Sequence, residues 1–310
     1  MKIPRRLAMA GKLIKQTVIQ FIDDNCIDLG ARLSYYTALS LAPLVILALM
    51  VAGLIWDEQS AAERITTQMR QLFGDSGAAA IEGVMQAGAT ATGSGIAAIV
   101  GIVTLLFAAT VAFASLQETI NGIWRVKEAP GRNIWNFLRK RLLSLATMGM
   151  IGFLMLVSLI ASSVLSFVLD QLHQFIPVDD GWVLRVGDIA VSLLIYFGLF
   201  AFIFKVLPDV KIAWKDVWIG AGVTAVLFEL GKTLIGLYIA NSAVISAYGA
   251  ATSLVAFLVW VYYSSLIVFF GAEVTQVYAT RYGKGIEPDE HAVALSPRDE
   301  GIASADPTKR

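Results

Sequence analysis

The chain reads as long uncharged apolar runs separated by charged connections. Leu33 to Trp56 carries no charged residue, and neither do Gly83 to Gln117, Leu142 to Leu169 and Ile189 to Phe204. Val217 to Ala240 is apolar apart from Glu229 and Lys232, and Thr233 to Ala272 is uncharged over 40 residues. About 20 apolar residues cross the hydrocarbon core as a helix, so this last run is too long for one crossing. Asn241, Ser242 and Gly249 put polar and turn-forming residues in its middle. The pattern predicts an all-α integral membrane protein with six transmembrane helices, over about 31–56, 95–118, 142–169, 187–207, 217–240 and 250–273. Together they make a transmembrane domain over 31–280.

The flanks differ in pattern. In residues 1–30, Leu7, Ile14, Val18, Phe21 and Ile22 fall on one helical face, with Lys12 and Lys15 off it. Two readings are open: an amphipathic helix lying on the inner membrane surface, or one packed on the cytoplasmic ends of the spans. The basic start lacks the continuous apolar stretch of a cleaved signal peptide. In the first outer connection, Ser60 and Glu63 form a capping box, and Ile65, Met69, Leu72 and Phe73 then share a face. That predicts two short helices, the second starting at Asp75 or Ser76. Residues 281–310 are polar, contain Pro, Asp and Ser, and read as a disordered cytoplasmic tail.

Charge distribution sets the orientation. Five Lys and Arg precede the first span, the second connection has six, the fourth three and the tail five. The other side has Arg64, Arg70 and Arg185, so the asymmetry is nineteen against three. Basic residues stay on the cytoplasmic side, which places both termini there. Overall the chain is 57% hydrophobic and 15% charged, with a mean hydropathy of +0.69, too few charges to coat a water-facing surface. A single cysteine, Cys26, excludes an internal disulfide, and the distant His173 and His291 predict no metal site and no cofactor.

Charge at hydrocarbon depth is costly and marks function by default. Glu229 falls near the middle of the fifth span, and Lys232 shares its face three residues on. Gly222, Ala225 and Gly236 extend that face with small residues that permit close helix approach. Glu229, Lys232 and Gly236 are thus candidate substrate-binding residues, with a self-neutralising helix pair as the alternative. Arg32, Tyr35 and Tyr36 open the first span, Glu118 and Asn121 close the second, and Glu273 closes the sixth. These six are candidates for a cytoplasmic gate, or for a structural network. No phosphate-binding glycine loop, nucleophile elbow or zinc-protease motif is found, so no catalytic residue is assigned. The basic second connection suits topology and anionic lipid better than nucleic acid.

Several segments together resemble the YihY/BrkB family of bacterial inner-membrane proteins. The most specific is Tyr248-Gly-Ala-Ala-Thr-Ser-Leu-Val-Ala-Phe-Leu-Val-Trp-Val-Tyr-Tyr-Ser-Ser, followed by Phe270-Gly-Ala-Glu273. Others are Ala31-Arg-Leu-Ser-Tyr-Tyr36 with Pro43, Gln117-Glu-Thr-Ile-Asn-Gly-Ile-Trp124, and Leu207-Pro208 with Trp214 and Gly220-Ala221. Thr252 and Gln276 depart from the family pattern, which commonly has glycine and a basic residue there. The resemblance implies a six-span protein of the bacterial inner membrane. It carries an old ribonuclease label, at odds with the missing catalytic groups, and a link to lipid or envelope-component transport. The leading expectation is a transporter or flippase-like protein for a lipid-linked or small amphiphilic solute, in contact with membrane lipids. The alternatives are a membrane-embedded nuclease or lipid-modifying enzyme, and a non-transporting scaffold of envelope assembly. Assembly into a homo-oligomer is left open.

Overall fold

The computed structural model describes residues 5–52, 96–129, 181–241, 252–289 and 292–295, with the isolated helical positions Glu63, Thr66, Thr67 and Glu82. The described chain is mostly helical. In chain order it forms α1 (Arg5–Asp23), α2 (Cys26–Ala52), α3 (Ile96–Ile123), β1 (Val126–Glu128) and α4 (Gly181–Val206). β2 (Val210–Lys211), α5 (Trp214–Asn241), α6 (Thr252–Arg281), β3 (Glu287–Pro288) and β4 (Ala292–Ala294) follow. Among the described residues, three stretches are long and apolar enough to cross a membrane: Ile189–Val206, Trp214–Tyr238 and Leu254–Arg281. They correspond to the expected fourth, fifth and sixth spans. The expected third span, 142–169, and nearly all of the first outer connection lie outside the described residues, as do His173 and His291.

The helices outrun their apolar runs. α6 continues from the expected end at 273 to Arg281, α3 from 118 to Ile123, and α2 begins at Cys26 rather than 31. Hydropathy marks where apolar side chains stop. Backbone bonding stops only at a breaker or cap. At the end of α6 the Gly283 amide bonds the Tyr278 and Ala279 carbonyls, and Gly285 takes a φ of +84°, the glycine-tolerated left-handed region. Between α1 and α2, Asn25 at φ 51° makes the turn, and its carbonyl accepts the Asp28 and Leu29 amides to start α2.

The chain divides into two compact units. The first comprises Met1–Asp24, Gln117–Val226 and Val268–Arg310; the second comprises Asn25–Leu116 and Leu227–Ile267. In the first, α5 and α6 meet through a reciprocal Gly/Thr seam. A Cβ at Gly220 would overlap the Thr275 hydroxyl, and one at Gly271 would overlap the Thr224 hydroxyl. Each threonine donates its hydroxyl to the carbonyl four residues back, Thr224 to Gly220 at 2.7 Å and Thr275 to Gly271 at 2.8 Å. The hydroxyls are thereby satisfied within their own helices, and each side chain seats on the other helix's glycine.

α1 turns out differently from its expected face. Thr17 is fully buried, whereas Ile14, Val18, Ile19 and Ile22 are exposed. Phe21, grouped by sequence with that exposed stripe, packs edge-on against Phe270 at 5.9 Å. The helix is therefore packed through its polar side and still presents an apolar one. Leu7 lies where no side chain is described.

The tail also departs from expectation. Instead of being disordered throughout 281–310, it contributes two antiparallel ribbons. β4 pairs with β1 (Val126↔Ala294, Glu128↔Ala292), and β3 pairs with β2 (Val210↔Pro288, Lys211↔Glu287). The strands are too short to leave an alternating pattern; backbone bonds join them, and Val126, Val210 and Ala292 are buried. The Leu295 amide donates to the Arg125 carbonyl at 2.9 Å, and that of Asp289 to the Asp209 carbonyl at 3.0 Å. The Lys211–Asp289 ion pair at 3.6 Å is well exposed on both sides and adds little.

Candidate functional site

In the second unit, α5 carries the charged pair close to the middle of its candidate span. Lys232 Nζ lies 3.0 Å from Glu229 Oε2, so the two charges neutralise each other on one helix face. The pair is not sealed: 34% of the Lys232 side chain and 17% of Glu229 stay accessible. Beside it Phe228 meets Trp260 edge-on at 6.3 Å, and Tyr263 lies over Gly231 so closely that a Cβ there would overlap the ring. The close approach of α6 therefore falls at Gly231. Gly236, the expected small-residue contact, is exposed, and a Cβ on it would meet nothing within 4 Å. Helical spacing identifies a face but not the rotation that aims it.

The first unit contains a polar centre that sequence reasoning missed. Asp24 follows the end of α1. Its Oδ1 accepts from Arg125 Nη2 at 2.8 Å, with the Asp24 side chain 12% accessible and that of Arg125 40%. Arg125 sits just past α3 at φ 59°, a left-handed conformation costing a non-glycine residue roughly 1–2 kcal/mol. Glu273, fully buried on α6, neighbours the Asp24 carboxyl. Burial pushes Asp24 above the usual carboxylate range; Arg125 and the contact with Glu273 pull it back, and Asp23 adds to the rise. α1 lines the same side with Gln16, Thr17 and Gln20, each presenting a buried oxygen that accepts from no protein group. One signal of this centre was legible: that face is built of Gln and Thr rather than the Lys and Glu of a solvated helix face.

The six candidate gate residues are divided between the two units. Arg32, Tyr35 and Tyr36 belong to the second unit, where Arg32 and Tyr35 are exposed and the two tyrosine rings lie 5.9 Å apart. Glu118, Asn121 and Glu273 belong to the first. Glu118 is exposed. Asn121 clamps the turn after α4: its Nδ2 donates to Asp209 Oδ2 at 2.7 Å, and its Oδ1 accepts the Asp209 amide at 2.9 Å. Gln117 adds a bond to Asp209 Oδ1 at 3.2 Å, and Trp124 Nε1 donates to the Ala272 carbonyl at 3.0 Å. The bonds to the Asp209 carboxylate are charge-assisted and contribute about 1.5–3 kcal/mol each, the neutral Trp124 bond about 1 kcal/mol, so Gln117, Asn121 and Trp124 have structural work to do. Among the described residues no three His, Cys, Asp or Glu side chains come together as a metal-binding group.

The model of the family described as virulence factor BrkB matches residues 17–296. Among curated relatives, a UPF0761 membrane protein of Rhodospirillum centenum is 31% identical over 278 residues, 88% of this chain and 59% of the relative. One from a Psychrobacter species is 29% identical over 82% of this chain and 46% of the relative. One from Vibrio vulnificus is 27% identical over 91% of this chain and 87% of the relative. The chain thus spans only about half of the length of the first two. No solved structure matches it.

Proposed function

The chain belongs to the virulence factor BrkB family of membrane proteins, and from that premise we propose that it moves a lipid-linked or small amphiphilic solute across the bacterial inner membrane. The observation that carries this reading is the Glu229–Lys232 pair. Charge at hydrocarbon depth is costly even when paired, because the desolvation it pays can exceed the attraction it gains, so it marks a functional site by default. Here a third of the Lys232 side chain remains open. An anionic head group entering from that side exchanges with Glu229 for the ammonium, and the carboxylate takes the lysine back on release.

The reading includes six spans with both termini in the cytoplasm, supported by nineteen basic residues against three. Trp214 and Trp218, half exposed at the start of α5, suit the inner membrane boundary. So does α1, whose exposed Ile14, Val18 and Ile22 stand next to the exposed Lys12 and Lys15 and fit the apolar and anionic layers of a cytoplasmic leaflet. Thiol labelling of intact cells at cysteines placed in residues 1–4 and 300–310 tests the orientation. Both ends are expected to stay unlabelled by an impermeant reagent until the cells are opened, and labelling of either end in intact cells contradicts the topology.

Transport is tested by reconstitution. Vesicles holding the chain are expected to move a fluorescent anionic lipid between leaflets faster than protein-free vesicles, with the rate cut at least about tenfold in Glu229→Gln and in Lys232→Ala. Equal rates with and without protein would reject the function. Full rates in both variants would reject the site.

A further inference from the structure

The turn between α4 and α5 holds one lysine in a fixed place. Lys205, in the last turn of α4, donates from Nζ to the Ile212 carbonyl at 2.6 Å, and its ammonium stands 6.0 Å from the centre of the Trp214 ring. A lysine free in solvent loses much rotamer freedom when it meets a ligand; this one is ordered beforehand. The turn that carries it is itself held. Leu207, Val210 and Ile212 are buried, and Asp209 is bonded by Asn121 and Gln117 of α3. An ammonium has three donors, and the Ile212 carbonyl takes one, which leaves capacity for an incoming acceptor.

Apolar surface and positive charge occur together around this lysine. Trp214 and Trp218, one helical turn apart on α5, are 50% and 53% exposed. Lys215, next to Trp214 in the chain, is exposed and forms no ion pair among the described residues. The neighbouring acids are engaged elsewhere. Asp216 is buried and accepts the Lys284 amide at 3.2 Å, Asp209 faces Asn121 and Gln117, and Asp289 pairs with Lys211 at 3.6 Å. Positive charge is therefore left over where the candidate span Ile189–Val206 ends and Trp214–Tyr238 begins. A free anion would use the charge and leave the indoles bare. A lipid without net charge would use the indoles and leave the charge. An anionic phospholipid satisfies both, with its phosphate diester at the ammonium groups and its glycerol and chains along the rings.

We propose that Lys205, Lys215, Trp214 and Trp218 form a docking site for the head group of an anionic phospholipid at the membrane boundary where α4 meets α5, the cytoplasmic boundary in the orientation given above. The phosphate lies between the two ammonium groups, Trp214 flanks it, and Trp218 lies one turn further along α5, beside the chains. This site is separate from the Glu229–Lys232 pair and needs no transport to occur. It requires only that the two spans end at one surface of the membrane.

Photo-crosslinking reads the site locally. The full chain with Trp218→benzoylphenylalanine is placed in vesicles of equal phosphatidylglycerol and phosphatidylcholine, illuminated, and the captured lipid identified by mass. Phosphatidylglycerol is expected to be captured over phosphatidylcholine by about tenfold or more, and the ratio to fall at least about fivefold in Lys215→Glu and in Lys205→Ala. Lys215 touches nothing that holds the fold, so Lys215→Glu decides alone if Lys205→Ala does not fold. Equal capture of the two lipids by the chain with both lysines would reduce the patch to an ordinary aromatic belt and overturn the proposal. So would a preference left unchanged in either folded lysine variant. Vesicles in which the chain captures phosphatidylglycerol through these lysines but moves no lipid reject transport and keep the site.

Discussion

Replacing Gly271 with valine is expected to cost about 3 kcal/mol or more and to remove most folded protein from detergent extracts. A Cβ at this position overlaps the Thr224 hydroxyl and crowds the Phe204 ring at 3.0 Å. Neither neighbour has room to move. Thr224 is fully buried with its hydroxyl bonded to the Gly220 carbonyl, and Phe204 is fully buried beside Phe200, ring centroids 6.4 Å apart. Valine adds two methyl groups to that overlap, so α5 and α6 must separate along the seam. Gly220→Val is expected to behave alike, because its Cβ meets Thr275 and the Gly271 carbonyl. Gly236→Ala is the control: a Cβ there touches nothing within 4 Å, and helix propensity favours alanine, so stability should hold or rise slightly. Thermal unfolding of the three purified variants in detergent makes the comparison. A Gly271→Val protein as stable as the control would contradict the seam.

The second large effect is expected at Arg125. Arg125→Gln keeps most of the side chain's length and removes its charge, leaving Asp24 and Glu273 to face each other without the guanidinium. Losing one partner of a buried pair costs roughly 3–5 kcal/mol. Arg125 is 40% accessible and so partly screened, which lowers the expectation to about 2 kcal/mol at neutral pH. The loss should shrink on acidification. Burial holds the folded-state pKa of Asp24 above its unfolded value of 3.8, so in the window between them the folded state binds more protons than the unfolded state. Through Asp24, stability therefore falls as pH rises through that window and is regained as pH drops. Removing Arg125 takes away a charge that lowers the Asp24 pKa, so the window moves to higher pH and the variant approaches the wild type in acid. Unfolding temperatures of both proteins over a pH series test this. A stability difference independent of pH would mean that Arg125 acts through packing rather than charge.

How much of this was legible in the sequence depends on what each feature needs. The helices carrying the fourth, fifth and sixth expected spans needed only apolar length, and the structure has them. Asn121 and Gln276 lie just beyond the ends of the second and sixth expected spans, because hydropathy stops where side chains turn polar while the backbone continues. The Glu229–Lys232 contact followed from a spacing of three on one helix. Gly220 and Gly271 needed knowledge of which helix meets which and at what rotation, and neither is encoded in a single run. Asp24 was hidden for a different reason. Its helix has an apolar stripe that suggested the buried side, and the structure buries the Gln16, Thr17, Gln20 and Asp24 side instead. In a membrane protein apolar faces can be satisfied by lipid, so polarity no longer distinguishes outside from inside.

The transport reading depends on what the Glu229–Lys232 pair is for. Exchanging the two residues, Glu229→Lys with Lys232→Glu, keeps the ion pair and the helix face but reverses the order of charge presented to an entering solute. In the reconstituted vesicles the exchanged protein is expected to remain folded and to move anionic lipid at least about tenfold more slowly than the wild type. An exchanged protein that moves it at the wild-type rate would show the pair to be a helix contact, and the substrate site would have to be sought elsewhere in the chain.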